Sequence, residues 1–261
     1  MNALIAFLTL FPGVTAPLQS PRTIELNVDG IARTALLFES RAKGPQPIVF
    51  AFHGHGGNSR QAARSFAIHE NWPEAHVVYP QGLPSKGKTD PEGKKPGWQQ
   101  QPSDLGERDL KFFDALYAHL KDQIGFDSKK VFAMGHSNGG RFTYVLWASR
   151  GDKFAGMGPS GSPALLSVRQ WPAKPAFVIA GEKDAIVPYA GQKLSIDALK
   201  RLLGVLGEPK TEGYAQYFTG RQGMRLGTYV HPGGHEFPAE GGKRMAAFFR
   251  EISQSRERLA Q

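Results

Sequence analysis

The sequence contains no cysteine among its 261 residues. This absence excludes disulfide bonds, metal sites built on thiolates and a cysteine nucleophile. If the protein carries out nucleophilic catalysis, serine is therefore the natural candidate for the attacking group.

The chain also lacks any run of the ~18 consecutive apolar residues that a membrane-spanning helix needs, so we predict no membrane span. Its first residues have a different character. An apolar stretch from Ala3 to Phe11 precedes Val14-Thr15-Ala16, which is typical of a secretory leader with a small-residue cleavage site. No Lys or Arg precedes the stretch, and Pro17 would directly follow the cleavage site. A truncated leader or a simple N-terminal strand therefore stays open as an alternative. We predict a leader at 1–20 and a secreted or periplasmic protein.

Acidic residues are in the minority, with 23 Asp and Glu against 32 Lys and Arg, which gives a net charge of +9. The basic residues are scattered, and their densest group, between Lys86 and Lys95, also holds Asp90 and Glu92. Such mixed charge is typical of a solvated loop. Zinc-finger spacing, a helix-turn-helix pattern and a stripe of alternating aromatic and basic residues are all missing, so we predict no nucleic-acid partner.

The apolar pattern indicates an α/β fold. It alternates on both sides of Asp29-Gly30, which is typical of a β-hairpin, and then changes to short continuous apolar runs, which are typical of parallel strands buried on both faces. The runs are 47–52, 75–79, 131–134, 176–180 and 228–230. Between and after them, apolar residues at helical spacing predict helices at 107–124, 193–203 and 243–252. We predict a mostly parallel central sheet with an antiparallel N-terminal hairpin and helices on both faces.

The hydrophobic content of 40% in 261 residues is enough for one sizeable core. We therefore predict a single domain over 21–255 and a C-terminal tail over 256–261. The segment 82–106 is long and irregular, and loops of that length in a compact domain are often functional.

Each continuous apolar run is followed by a polar, glycine-rich motif, and parallel strands would bring these motifs to the carboxyl edge of one sheet, where open α/β sheets bind ligands. One motif, Gly135-His136-Ser137-Asn138-Gly139, fits the G-x-S-x-G nucleophile elbow in its required context of strand, sharp turn and helix. Glycines on both sides allow the tight turn that exposes the serine Oγ.

A serine needs an imidazole to take its proton and a carboxylate to orient that imidazole. In this fold class the acid follows the serine in sequence and the histidine comes last. Asp184 and His235 follow the fourth and fifth runs and satisfy that order. The alternatives are Glu182 or Asp152 as the acid, and His231 as the base.

The oxyanion of the reaction intermediate needs backbone N–H donors from the residue after the nucleophile and from the loop after an earlier strand. Asn138 is the first by position, and His55 in "HGHGG" is the candidate for the second. His53 and His55 are also an alternative metal pair, although their spacing and the missing carboxylates argue against it.

Taken together, "FHGHGGN", "VVYPQG", "GWQQ", the segment from Glu107 to the elbow, "GEKDAIVPY" and "GGHEFP" resemble the α/β-hydrolase fold. The closer resemblance is to extracellular poly(3-hydroxybutyrate) depolymerase-like esterases and to the feruloyl and acetylxylan esterases of the first carbohydrate esterase family. It covers roughly residues 23–252. The resemblance implies a Ser137, Asp184 and His235 triad, an oxyanion loop at 53–57 and no cofactor. This chain departs from many relatives in lacking cysteines and appended binding modules, and in having His55 where relatives often have a Cys or another small residue.

Fewer than twenty residues separate the apolar segment near 154–158 from the run at 176, so we predict no large cap over the site. An open cleft favours a bulky or polymer-borne ester, either a polyester or a plant-polysaccharide ester. We assign Trp98 and His136 to substrate binding, with a buried anchor of the loop as the alternative for Trp98. A peptidase, a thioesterase or a non-catalytic carbohydrate-binding protein on the same scaffold stays open, and the sequence does not indicate the oligomeric state.

Overall fold

The computed structural model describes residues 20–164 and 167–258, with the side chains of the last helix described up to residue 255. The predicted leader, apart from Ser20, lies outside the described residues. The described residues form twelve strands: β1 Arg22–Val28, β2 Ile31–Phe38, β3 Ile48–Phe52, β4 His76–Pro80, β5 Leu83–Pro84, β6 Pro96–Gly97, β7 Val131–His136, β8 Gly156–Ser160, β9 Ala176–Gly181, β10 Lys210–Glu212, β11 Ala215–Thr219 and β12 Arg225–His231.

Ten of these strands form one sheet in the order β1-β2-β4-β3-β7-β8-β9-β12-β11-β10. The six central strands, from β4 to β12, pair in parallel. All five residues of β3 are buried, as are those of β4, β8 and β9. The continuous apolar runs therefore form the parallel centre of the sheet, as predicted, and the carboxyl ends of these strands meet at one edge.

Both ends of the sheet are antiparallel. The N-terminal hairpin joins β1 to β2 through Asp29-Gly30, whose φ angles of 51° and 81° are those of a tight two-residue turn. At the opposite end, β10 and β11 add an antiparallel extension to β12. The sequence analysis did not predict this extension, because the residues of β10 are all exposed and carry no apolar pattern.

In the part of the chain that the structure describes, six α-helices accompany the strands: α1 Ser59–Phe66, α2 Ile68–Asn71, α3 Arg108–Ile124, α4 Asn138–Arg150, α5 Tyr189–Leu203 and α6 Ala239–Arg258. The predicted helices correspond to α3, α5 and α6, and Gly125 ends α3 with a φ of 63°. The helix α6 continues to Arg258, three residues past the boundary at 255, and the division into one domain and a tail stays a prediction.

The helices cover both faces of the sheet, as predicted. Ile48, Phe50 and Phe52 of β3 belong to the core shared with α3, α4 and α5. Val49 and Ala51 belong to the core shared with α1, α2 and α6. This alternation follows from the period of two along a strand. No helix in the described part of the chain combines the length and the apolar character that a membrane crossing needs.

The irregular segment at 82–106 is fastened to the sheet and to α3 by a buried polar network. Asp109 accepts a hydrogen bond from Arg33 at 2.8 Å and another from the backbone N–H of Gln99 at 2.8 Å. The Gln99 side chain in turn accepts from the N–H groups of Asp109 and Leu110 at the start of α3. Because these groups are buried and mutually paired, the segment has a fixed position over the carboxyl edge of the sheet.

Candidate active site

Ser137 stands in the sharp turn between β7 and α4, with φ 58° and ψ −120°. A non-glycine residue at positive φ costs of order 1–3 kcal/mol and requires support from its surroundings. The flanking glycines provide the space: a Cβ on Gly135 would collide with the carbonyl oxygen of Gly139, and a Cβ on Gly139 with that of Phe52. This arrangement exposes the serine hydroxyl above the sheet edge.

The structure brings the three predicted side chains into one hydrogen-bonded chain. Ser137 Oγ lies 2.7 Å from His235 Nε2, and His235 Nδ1 lies 2.7 Å from Asp184 Oδ2. Because a carboxylate accepts hydrogen bonds, the proton belongs on Nδ1, which leaves Nε2 free to accept from the serine hydroxyl. This is the arrangement needed to remove a proton from Ser137.

Asp184 is buried and held by several donors. Its Oδ1 accepts from the N–H groups of Ile186 at 3.0 Å and Val187 at 2.7 Å, and its Oδ2 also accepts from Gln192 at 3.0 Å. Burial raises the pKa of Asp184, but the hydrogen bond from His235 and those from Val187 and Ile186 outweigh this effect, so the pKa lies below its usual value. Asp184 is therefore an anion at neutral pH. No sequence signal marks Gln192, because a lone glutamine in a helix forms no motif.

The alternative acids and base occupy other places. Glu182 is exposed, and Asp152 lies beyond the C-terminal end of α4, a full helix length away from Ser137. The His231 side chain is buried and lies 3.5 Å from Glu236. His231 is the last residue of β12, and it is His235, in the loop that follows, that contacts Ser137.

Two main-chain amides were predicted as oxyanion donors. Asn138 is the first residue of α4, so its N–H has no acceptor within the helix. His55 lies in the loop after β3, which packs on the elbow: a Cβ on Gly54 would lie 3.4 Å from the Cβ of Ser137. The His55 ring is fixed by Asp90 at 3.2 Å, a contact that the sequence analysis missed because the two residues are far apart in the chain.

The assignment of Trp98 to substrate stacking is wrong. Its side chain is only 1% exposed, and its indole N–H donates to the carbonyl of His53 at 2.9 Å. Its backbone forms a reciprocal pair with the Asn138 side chain, which accepts from Trp98 N–H at 2.7 Å and donates to Trp98 C=O at 3.0 Å. Trp98 is thus the anchor that joins the 82–106 segment to the elbow and to the His55 loop.

His136 contacts the backbone of His235, and this role differs from the substrate binding predicted for His136. One ring nitrogen lies 3.0 Å from the Ser160 hydroxyl, and the other lies 3.2 Å from the carbonyl oxygen of His235. Burial, together with the neighbouring His235, lowers the pKa of His136 to about 4, so the ring is neutral at neutral pH.

His53 is likewise buried with both ring nitrogens hydrogen-bonded, and it does not form a metal pair with His55. Its Nδ1 donates to Gly54 C=O at 2.7 Å and its Nε2 accepts from Gly82 N–H at 2.9 Å. Burial lowers the pKa of His53 to about 4. Within the described residues, no group of three or more His, Asp or Glu side chains is arranged to hold a metal ion.

A cleft opens beside Ser137 on the side of α4, with a volume of about 270 Å³. Pockets that hold drug-sized ligands measure ~300–1,000 Å³, so this cleft suits a small group. His55, Asn138 and Arg141 form part of its wall. A second opening is bordered by His136, His235 and Phe237. Sequence reasoning missed Arg141, because it follows the elbow motif without belonging to it.

The chain is similar at low identity to a curated enzyme. It is 27% identical to the probable feruloyl esterase C of Aspergillus clavatus over 148 residues, which cover 55% of this chain and 50% of that protein. The match thus spans about half the length of this relative. No family model matches the chain.

Two of the solved structures that the chain resembles are esterases. The carboxylesterase of Bacillus cereus superimposes with a TM-score of 0.63 at 16% identity, over 84% of this chain and 94% of that one. The acetyl xylan esterase from Aspergillus awamori gives a TM-score of 0.59 at 16% identity, over 87% and 98%. The chain has the α/β-hydrolase fold. In this chain, only residues 161–175 separate β8 from β9, so no cap domain is inserted there.

Proposed function

We propose that this protein is a serine carboxylic-ester hydrolase in which Ser137 is the nucleophile, His235 the general base and acid, and Asp184 the orienting carboxylate. The observation that carries the proposal is the unbroken hydrogen-bonded chain from Asp184 through His235 to Ser137, with both distances 2.7 Å. The similarity to feruloyl esterase C and the esterase folds of the neighbours support the same chemistry.

In the proposed reaction His235 Nε2 takes the proton of Ser137 as Oγ attacks the ester carbonyl carbon. The N–H groups of Asn138 and His55 stabilise the negative oxygen that forms. When the intermediate collapses, His235 gives the proton to the departing alcohol and leaves an acyl-serine. Water, deprotonated by His235, then releases the acid and restores Ser137.

The substrate class follows from the shape of the site. With no cap domain between β8 and β9, a chain attached to the ester can extend into solvent. We therefore propose a polymer-borne or bulky ester, in the group that contains feruloylated or acetylated polysaccharides and polyhydroxybutyrate. Parallel assays on methyl ferulate, acetylxylan and polyester film separate these substrates, and the activity that exceeds the others identifies the class.

We also propose that the protein is exported, and this proposal is based on the sequence of residues 1–20 alone. Expressing the full chain in its own cells and determining the N-terminus of the recovered protein tests it. A mature protein that starts shortly after Ala16 and is found outside the cytoplasm is expected, and a cytoplasmic protein with residues 1–16 retained would contradict export.

The central test compares Ser137→Ala with the wild type on 4-nitrophenyl acetate. Losing the nucleophile is expected to lower kcat/KM by ~10³-fold or more, because oxyanion stabilisation alone remains. Ser103→Ala is the matched control, since Ser103 is exposed on the 82–106 segment. Equal rates for Ser137→Ala and the wild type would refute the proposed mechanism.

A further inference from the structure

Arg141 is a buried cation beside the proposed nucleophile. It lies four residues after Ser137, one turn along α4, and it forms part of the wall of the cleft next to Ser137. The residue is only 8% exposed. Burial lowers the pKa of Arg141 to about 10, which still leaves the guanidinium protonated at neutral pH.

Among the residues that the structure describes, this guanidinium has no counter-ion. Its Nε and Nη1 atoms are buried and without a hydrogen-bond partner among the described residues, and so is the hydroxyl of the neighbouring Tyr144. Buried charges in folded proteins are normally paired, since an unpaired one costs several kcal/mol. The contacts within the protein do not explain why this cation lies next to Ser137, and a bound ligand would explain it.

The cleft is electropositive. Besides Arg141 it is bordered by Lys88, and no Asp or Glu side chain is among the described residues that line it. The chain as a whole carries a net charge of +9. Both features favour a negatively charged ligand.

The geometry of the proposed reaction decides which part of the ester enters this cleft. His235 must give its proton to the departing alcohol, so we place the alcohol at the opening that His235 and His136 border. We place the acyl group in the cleft of about 270 Å³, which Ser137, Asn138 and Arg141 line.

We propose that Arg141 binds a negatively charged group, a carboxylate, at the far end of a short acyl chain, so that among polymer-borne or bulky esters the enzyme prefers those of dicarboxylic acids whose second carboxyl group is free, over feruloyl, acetyl or hydroxybutyrate esters. This inference rests on the proposed function, because it uses Ser137 and His235 to orient the ester. The guanidinium is suited to the task because a hydrogen bond between two charged groups is shorter and stronger than one between neutral groups.

The test compares two chromogenic esters of the same shape: the mono-4-nitrophenyl ester of glutaric acid, and its analogue in which a carboxamide replaces the free carboxylate. The wild type is expected to prefer the anionic ester. In Arg141→Met the ratio of the two kcat/KM values should fall by ~10- to 100-fold, the value of a charge-assisted hydrogen bond. Arg141→Lys should give a ratio between those of the wild type and Arg141→Met, because it keeps a positive charge but not the planar guanidinium.

Arg201→Met is the matched control, since it removes the same charge from an exposed position near the C-terminal end of α5, and its ratio should equal that of the wild type. Urea unfolding gives a second readout. Arg141→Met should be at least as stable as the wild type, because it removes an unpaired buried charge. A marked loss of stability in Arg141→Met would show a structural role for the arginine and overturn the proposal.

Calorimetric titration of glutarate into Ser137→Ala protein separates this inference from the proposed function. Binding that weakens by at least ~10-fold when Arg141→Met is added supports the anion site even if neither ester is hydrolysed. Hydrolysis of both esters with the same ratio in wild type and Arg141→Met would overturn the anion site and leave the esterase intact. Glutarate binding that does not depend on Arg141 would also overturn it.

Discussion

Replacing Asp109 by Asn is expected to destabilise the protein strongly, because it leaves Arg33 buried without a counter-ion. The side chains of Arg33 and Asp109 are 1% and 0% exposed, and they meet at 2.8 Å. Removing one partner of a buried ion pair costs about 3–5 kcal/mol. For a domain of this size each kcal/mol lowers the Tm by about 2–4 °C, so a decrease of roughly 6–20 °C is expected.

The measurement is thermal and urea unfolding of Asp109→Asn, Arg33→Met and the double variant. The double variant removes both charges, so it should cost clearly less than the sum of the single changes. The control is Lys111→Met, which breaks a 2.8 Å pair with Asp29 whose side chains are 48% and 64% exposed, and should change stability by less than about 1 kcal/mol. A single-variant effect below about 1 kcal/mol, or additive single effects, would refute the reasoning.

The same change is expected to reduce esterase activity before the protein unfolds. Asp109 holds Gln99, and the adjacent Trp98 holds Asn138 and the His55 loop. Loosening this segment removes the support of both proposed oxyanion donors. We expect kcat to fall at temperatures where circular dichroism still shows a folded protein, and an unchanged kcat there would show that the segment does not position the site.

Three further predictions follow from the site. Asp184→Asn should lower kcat by ~10³- to 10⁴-fold with little change in the fold, because the imidazole loses its orienting anion, and steady-state kinetics beside a far-ultraviolet spectrum checks this. Gly139→Ala should inactivate and destabilise the protein, since the added Cβ meets the backbone carbonyls of residues 52 and 53, whereas Gly191→Ala, whose Cβ would make only ordinary contacts, should be tolerated. Stability should decline as the pH falls from about 6.5 to about 4, because burial lowers the pKa of His53 and His136 to about 4 while the histidines of the unfolded chain take up protons near 6.5. Urea unfolding midpoints measured across that pH range should vary less for His136→Gln than for the wild type. The same dependence of the midpoint on pH in both proteins would contradict this.

The parallel centre of the sheet was predictable because burial on both faces leaves a direct mark in the sequence: β3 and β9 are unbroken apolar runs. The elbow was equally accessible, because only glycine fits at positions 135 and 139 and the spacing is therefore fixed. The edge strands β10 and β11 were not, since an exposed three-residue strand has too few apolar positions to show a period.

Within the site, the proposed triad was predictable from residue type and order, but its surroundings were not. Whether Trp98 faces a substrate or the core depends on how the 82–106 segment folds back, and that is decided by partners at remote positions such as His53 and Asn138. Arg141 was likewise not predictable. In the sequence it is an ordinary helix residue, and only the structure shows that it is buried with no carboxylate partner among the described residues.

The two histidines at the centre of the site require different protonation behaviour although their ring centroids lie 4.9 Å apart. His235 must accept a proton in each half of the proposed reaction, and a second positive charge beside it would oppose that step. Burial keeps His136 neutral, with a pKa of about 4, and its contact with the carbonyl oxygen of His235 fixes the loop without adding charge. Among the described residues, Asp184 is the only charged side chain that is hydrogen-bonded to the His235 ring. Two backbone N–H groups stabilise the anionic form of Asp184. The positive charge that forms on His235 during the reaction therefore has an attractive partner on one side and a neutral one on the other.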